Sequence, residues 1–99
     1  MFATIREGTS DPEKVARGSE QADEFWRLRA RQPGYRGSVT IGAENGRVLI
    51  VTLWESQPDA DAAIAVLEPE SQRLMSAVWT VPSREIARGP VVRSELPGV

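Results

Sequence analysis

The 99-residue chain contains no cysteine and no histidine. Without cysteine it has no disulfide, no thiolate nucleophile and no thiolate ligands for zinc or an iron–sulfur cluster. Without histidine it has no imidazole base and no histidine ligand for haem or another metal. These two absences exclude the usual catalytic triads and most metalloenzyme sites. We therefore expect a protein with no cofactor and no bound metal.

The chain also lacks a large excess of charge of one sign and any long apolar run. The formal net charge is −2 and the charged residues are scattered, so the chain lacks the basic stripe that draws proteins to nucleic acid. No stretch approaches the roughly 18 apolar residues of a membrane span, and the start, MFATIREGTS, lacks the pattern of a secretory signal. We therefore expect a cytoplasmic protein that binds neither nucleic acid nor membrane.

Length and composition predict one globular domain over residues 1–99. Hydrophobic residues make up 40% of the chain and charged residues 26%, as is ordinary for a folded protein. A chain of this size buries only about two thirds of the surface that its unfolded form exposes. Further burial through self-association would therefore add stability.

The first part of the chain predicts a strand followed by a helix. FATIRE, at residues 2–7, suits a short strand. Ser10 or Asp11 can cap a following helix, and Pro12 fits its first turn, where no backbone N–H is needed. Apolar residues at helical spacing then predict one amphipathic helix over residues 13–31.

The later part predicts a second helix and a last strand. Ser56 is the expected N-cap, and Pro69 should interrupt or kink the helix because proline lacks an N–H and clashes with the preceding turn. A further helical segment is predicted over residues 70–79, which include Trp79. Residues 80–96 predict an extended segment at a sheet edge or with a bulge, since Gly and Pro interrupt it.

Between the two helices, ENGR predicts a hairpin with a two-residue loop. Asn45 and Gly46 tolerate positive φ, which sets the flanking Glu44 and Arg47 opposite each other. The predicted order is thus strand, helix, strand, strand, helix, strand. This is the ferredoxin-like α+β arrangement, an antiparallel sheet with two helices on one face.

The predicted hairpin register gives the two strands different faces. One face pairs Gly37 with Trp54, is almost wholly apolar and should receive the helices. The other pairs Arg36 with Glu55 and mixes small polar residues with larger apolar ones. It is too apolar for water and too polar for a dry core, so we interpret it as a subunit interface or a pocket wall. This second face comprises Ser38, Thr40, Leu49, Val51 and Leu53.

The segment PGYRGSVTIGAENGRVLIVTLWESQPDADAAI resembles the core signature of the antibiotic biosynthesis monooxygenase-like domains, which belong to the dimeric α+β barrel superfamily. In that family a proline-glycine-aromatic sequence ends the first helix, and Trp-Glu-Ser closes the hairpin ahead of an alanine-rich helix. The matching positions are Pro33, Gly34, Tyr35, Trp54, Glu55, Ser56 and residues 59–64.

The resemblance implies a homodimer in which the sheets of two subunits meet face to face, forming the barrel and covering the second hairpin face. It also implies similarity to cofactor-independent monooxygenases, oxidoreductases that act on aromatic or quinone-like small molecules. In such chemistry an electron-rich phenol is deprotonated and held near oxygen by asparagine, tryptophan and similar groups. The family's haem degraders use a helix histidine, which this chain lacks.

A non-catalytic dimer of the same fold, with a small-molecule-binding or structural role, is the alternative hypothesis. The one asparagine of the chain is Asn45, and the hairpin turn already explains it. A cavity of a few hundred Å³ between helices and sheet, with convergent polar atoms, would favour a ligand. A filled core there would leave no room for a substrate.

Six residues are candidates for lining such a pocket, with packing in the core as the alternative role for each. The three tryptophans offer flat apolar surface with one N–H donor each. Thr4 and Arg6 share one face of the first strand with Phe2, and if that face meets the helices they would bring a hydroxyl and a guanidinium to the cavity mouth. No catalytic acid or base is predicted. The six candidates are Thr4, Arg6, Trp26, Trp54, Met75 and Trp79.

Overall fold

The structure, a computed structural model, describes residues 1–98 and has an α+β architecture. Its four strands form one antiparallel sheet in the order β2-β3-β1-β4, and the long helices pack on one face of it. This confirms the predicted ferredoxin-like fold. No helix among the described residues is long and apolar enough to cross a membrane. The elements are β1 (Phe2–Ser10), α1 (Pro12–Arg17), α2 (Ser19–Ala30), β2 (Tyr35–Gly42), β3 (Arg47–Trp54), α3 (Gln57–Leu74) and β4 (Trp79–Pro90).

The region predicted as one helix over residues 13–31 is two helices. Asp11 caps α1, because its side-chain oxygen accepts a hydrogen bond from the N–H of Lys14 at 2.8 Å. The break comes at Gly18, where a Cβ would lie 2.7 Å from the carbonyl oxygen of Ala77. The close approach of the turn before β4 therefore requires glycine at this point, and glycine favours the end of a helix.

Pro69 does not interrupt α3, which was one of the two outcomes predicted for it. The helix begins after Ser56, whose hydroxyl accepts from the N–H of Asp59 at 3.3 Å, and it continues to Leu74. Pro69 and the residue one turn before it, Ala65, are both exposed. The carbonyl group that loses its helical partner can therefore tilt toward water, which lowers the cost of proline here.

The prediction of a helical segment over residues 70–79 is wrong after Leu74, where α3 ends. Met75–Ala77 form a short 3-10 turn, and Trp79 begins β4. β4 is an edge strand, as predicted. Its pairing with β1 is regular at Gly89 and Pro90, however, and the irregular positions lie between Trp79 and Ala87.

The hairpin between β2 and β3 has a three-residue loop, where two residues were predicted. Asn45 and Gly46 have the expected positive φ, at 62° and 75°. However, the N–H of Ala43 donates to the carbonyl of Arg47 at 2.8 Å, so three residues lie between them in a 3-10 turn. Gly46 also packs directly on the carbonyl oxygen of Ser10, at the end of β1. This contact between loop and sheet accompanies the longer turn.

The additional loop residue shifts the hairpin register by one position. Val39 pairs with Val51, and Ser38 pairs with Thr52, whereas the prediction placed Val39 opposite Thr52. A one-residue shift exchanges the two faces of a strand. Ser38 and Thr40 therefore belong to the helix side of the sheet, and their predicted place on the uncovered face is wrong.

The sheet face away from the helices is consequently more apolar than predicted. Val39 and Ile41 of β2 lie on it and are 53% and 45% exposed. Within residues 1–98 no helix covers this surface, which we call the open face. The open face carries Ala3, Ile5, Val39, Ile41, Leu49, Val51 and Leu53, which neighbour one another through the strand pairings.

The predicted pairing of Trp54 with Gly37 is also wrong. A bulge at Arg36 places Tyr35 opposite Trp54 instead. The predicted ion pair survives this change, because Arg36 Nη1 lies 2.6 Å from Glu55 Oε2. A long, flexible side chain can reach its partner across a bulge, whereas a backbone pairing cannot.

Replacing Gly46 by alanine should destabilise the fold, because the new Cβ would meet the Ser10 carbonyl and because φ is positive. We expect the free energy of unfolding in urea to fall by about 1–3 kcal/mol. Gly42→Ala is the matched control, since nothing lies within 4 Å of its Cβ position, and it should change stability by no more than about 0.5 kcal/mol. Equal losses in both variants would contradict the packing of the loop on β1.

Candidate functional site

A cavity of about 450 Å³ lies between the helices and the inner face of the sheet. Ligand pockets in proteins commonly measure about 300–1,000 Å³, so this volume suits a small organic molecule. The core is thus packed around an open space rather than filled. All six residues predicted to line a pocket do line this cavity: Thr4, Arg6, Trp26, Trp54, Met75 and Trp79.

β1 carries Thr4 and Arg6 to the cavity because alternate residues of a strand share a face, and buried Phe2 fixes which face meets the helices. Thr4 is only 4% exposed, and its Oγ1 accepts from Trp54 Nε1 at 3.3 Å. The hydroxyl proton of Thr4 remains available to a ligand.

Arg6 lines the cavity but is held on its wall. Its Nε donates to Ser83 Oγ at 3.1 Å, and its Nη2 donates to the carbonyl of Ser83 at 3.0 Å. The sequence left open which face of β1 meets the helices. In the structure Thr4 and Arg6 lie on the helix side, and each already makes a hydrogen bond within the protein.

A continuous series of side chains in contact, which we call the aromatic series, runs from the sheet to α2 at one end of the cavity. Trp54, only 2% exposed, meets Tyr35 edge to face with ring centroids 5.9 Å apart. The Arg29 guanidinium lies 5.7 Å from the Tyr35 ring and 4.5 Å from the Trp26 ring. Trp26 in turn meets Phe25 at 5.4 Å. These contacts join the sheet to α2 through groups that favour aromatic and cationic partners.

Trp79 lies at the other end of the cavity. It starts β4 rather than sitting on a helix, and its ring covers Gly8 of β1 so closely that a Cβ there would lie 2.8 Å from a ring carbon. Trp79 is buried, with an exposed fraction of only 8%. Among residues 1–98 its Nε1 has no hydrogen-bond partner. Such a buried donor calls for an acceptor from outside the chain.

Sequence analysis missed Arg29. Its Nε is also buried without a partner among the described residues, and burial lowers the pKa of its guanidinium, while Tyr35 acts in the opposite direction. The available signal was helical spacing. Arg29 follows Phe25 by four residues and Trp26 by three, which places it on the same side of α2 as those apolar rings.

The ionisable groups of the lining carry a cationic surplus. Glu85 is already bound to Arg88 Nε at 2.9 Å, and Lys14 Nζ donates to the carbonyl of Trp79 at 2.6 Å. The arrangement therefore favours an anionic or electron-rich ligand. Within residues 1–98 no three acidic side chains are placed to hold a metal ion. The ionisable lining residues are Arg6, Lys14, Arg29, Glu68 and Glu85.

Comparison with known proteins gives matches in structure and none in sequence. No protein-family model and no curated protein matches the chain. SnoaB, a cofactor-independent oxygenase from Streptomyces nogalater, has a TM-score of 0.70 at 17% identity, with coverage of 97% of this chain and 96% of that chain.

Two proteins from Nitrosomonas europaea are similar to the same degree. One, provisionally assigned as an antibiotic biosynthesis monooxygenase, has a TM-score of 0.71 at 14% identity and covers 94% of this chain and 100% of its own. The other, of unknown function, has a TM-score of 0.73 at 9% identity over 99% and 95%. Identities this low establish a shared fold and leave activity to be argued from the site. The chain thus has the fold of the antibiotic biosynthesis monooxygenase-like proteins, as its PGY, WES and alanine-rich segments indicated.

Proposed function

We propose that this protein binds a flat aromatic or quinone-like molecule in its cavity and oxidises it with dioxygen without a cofactor. The observation that carries the proposal is the cavity of about 450 Å³ with three tryptophans in its lining. Indole faces offer large apolar surfaces for a planar ring, and their N–H groups can orient its oxygen atoms. Similarity in fold to a cofactor-independent oxygenase adds support.

The charges of the lining suit the first step of such a reaction. A phenol must lose its proton before it can pass electrons to dioxygen, and nearby cations favour the ionised form. Lys14 and Arg29 both line the cavity. They would lower the pKa of a bound phenol, whose proton passes to solvent. The substrate itself would then supply the four electrons that reduce dioxygen: one oxygen atom enters the ring, which becomes a quinone, and the other leaves as water.

Binding without catalysis is the second candidate function, and the hydrogen bonds of the lining favour it. Thr4 is bonded to Trp54, Arg6 to Ser83, and Glu85 to Arg88, so few groups are free to move a proton. A protein with this lining would recognise an aromatic molecule and leave it unchanged.

We also propose that the protein acts as a homodimer through the open face. Val39 and Ile41 are about half exposed there, and monomeric proteins rarely expose a continuous apolar patch of this kind. A second copy presenting the same face would cover it with two-fold symmetry. The three bulky β3 residues Leu49, Val51 and Leu53 would lie at the centre of the contact.

Filling the cavity mouth should abolish ligand binding and oxygen consumption together. Ser71 on α3 lines the cavity, so Ser71→Trp should occupy the ligand's space. The nearby exposed position 65 lies outside the lining, and Ala65→Trp is the matched control, expected to leave both properties unchanged. Calorimetric titration with a panel of dihydroxynaphthalenes measures ligand binding. An oxygen electrode measures oxygen consumption with the same compounds, after correction for their spontaneous oxidation.

The results separate the two candidate functions. Binding with oxygen uptake, lost in Ser71→Trp alone, supports the oxygenase. Binding by the natural chain without uptake selects the non-catalytic protein. If no compound of the panel binds, or if Ser71→Trp binds as well as Ala65→Trp, the cavity is not the ligand site.

Introducing a charge at the centre of the open face should dissociate the dimer. Val51→Glu would bury an unpaired carboxylate in the interface, which costs several kcal/mol, on the order of 3–5. Val66→Glu, at a 48% exposed position of α3, is the matched control and should leave the assembly unchanged. Light scattering at micromolar concentration reports the mass. A natural chain that is already monomeric, or a Val51→Glu variant that stays dimeric, would refute this interface.

A further inference from the structure

We infer that the ligand is elongated and carries an oxygen atom at each end, one accepting a hydrogen bond from the indole N–H of Trp79 and an anionic one bound by Arg29. This inference rests on the proposed function, because it specifies which aromatic molecule the cavity would take. It is carried by the two buried donors that have no partner among residues 1–98, both of which belong to the cavity lining.

The two most deeply buried indoles of the cavity differ in how their N–H groups are satisfied. Trp54 Nε1 donates to Thr4 Oγ1 at 3.3 Å. Trp79 Nε1, on a side chain with an exposed fraction of only 8%, has no acceptor in the part of the chain described. Since buried N–H groups in proteins are almost always paired, the fold leaves the Trp79 donor to a bound molecule.

Arg29 provides a donor of a different kind. Its guanidinium is held by stacking against Trp26 and Tyr35, at 4.5 and 5.7 Å from the ring centres. Tyr35 also interacts with the guanidinium through its hydroxyl, which acts to raise the pKa of Arg29, while the buried Nε has no partner among the described residues. Within the described residues no carboxylate forms an ion pair with Arg29. An anionic oxygen of the ligand would supply the missing charge.

The sheet places these donors at opposite ends of the cavity. Tyr35, which contacts Arg29, pairs with Trp54, and Trp54 pairs with Phe2 at the start of β1. The Trp79 ring covers Gly8, near the other end of β1. At a rise of about 3.3 Å per residue, these two positions of β1 lie about 20 Å apart along the strand. Two hydrogen-bonding groups separated along the strand in this way suit an elongated ligand better than a single ring.

The two ends of the ligand meet different donors. At the Trp79 end the cations Lys14 and Arg6 already donate to the Trp79 carbonyl and to Ser83, and the buried donor without a partner among residues 1–98 is the neutral indole of Trp79. At the other end the unpartnered donor belongs to the cationic Arg29. We therefore assign an oxygen that accepts a hydrogen bond, such as that of a hydroxyl or carbonyl group, to the Trp79 indole and a carboxylate or phenolate to Arg29.

Calorimetric titration of the full chain with a matched set of biphenyls tests this arrangement. The two-ended probe has a para hydroxyl on one ring and a para carboxylate on the other, and the remaining probes are the biphenyl with only the hydroxyl, with only the carboxylate, and with neither. The one-ring compound para-hydroxybenzoate carries both groups at a spacing that is too short. The two-ended biphenyl should bind at least about tenfold tighter than either one-ended biphenyl, since each new hydrogen bond contributes on that order.

Two variants separate the ends. Trp79→Phe keeps an aromatic ring over Gly8 and removes the N–H, so it should abolish the affinity gained from the hydroxyl and preserve the gain from the carboxylate. Arg29→Met keeps an unbranched side chain between the rings and should do the reverse. If Arg29→Met does not fold, Arg29→Lys, which retains charge and lacks the guanidinium fork, should still reduce the carboxylate gain.

Several outcomes would overturn the inference. These are a two-ended biphenyl that binds no tighter than the one-ended probes, an equal gain from both groups on the short para-hydroxybenzoate, or a hydroxyl gain that survives in Trp79→Phe. In each of these cases the proposal that the cavity binds an aromatic molecule is retained as long as biphenyl carboxylate binds. If none of the biphenyls binds the folded natural chain, both the proposed function and this inference fail.

Discussion

The cavity depends on the aromatic series that joins the sheet to α2. Trp54 is anchored to Thr4 by a hydrogen bond and meets Tyr35 edge to face, and the guanidinium of Arg29 links the Tyr35 ring to Trp26 on the helix. Rings and guanidinium groups are stiff, so they set the distance between helix and sheet at this end. At the other end the Trp79 ring covers Gly8 within the sheet. The smaller side chains between these supports leave the space unfilled.

The two faces of β3 have separate roles. Ile50 and Thr52, both buried, face the helices, and Thr52 contributes to the cavity wall. Leu49, Val51 and Leu53 face the other way, on the open face. One strand thus serves a ligand space on one side and, in our proposal, a second subunit on the other. The cavity and the interface share the sheet that separates them, so a change in the strand affects both.

Local rules account for much of the fold, and long-range contacts account for what the sequence did not reveal. The caps at Asp11 and Ser56 and the left-handed turn at Asn45 follow from the chemistry of those residues and their neighbours. The hairpin register does not, because it accompanies a contact between Gly46 and a carbonyl of β1. The role of Arg29 was also missed, since an arginine on a helix is usually solvated and its burial depends on Tyr35, which comes from β2.

The central claim is that an aromatic ligand binds in the cavity rather than on the open face, and nitrogen–proton correlation spectra test it most directly. The three tryptophans give three separate indole N–H signals. During titration with the two-ended biphenyl, the Trp79 indole signal should move downfield as it gains an acceptor, and that of Trp26 should shift, while the amide signals of Val51 and Leu53 stay in place. Shifts confined to the open face, with the indole signals unmoved, would contradict the account.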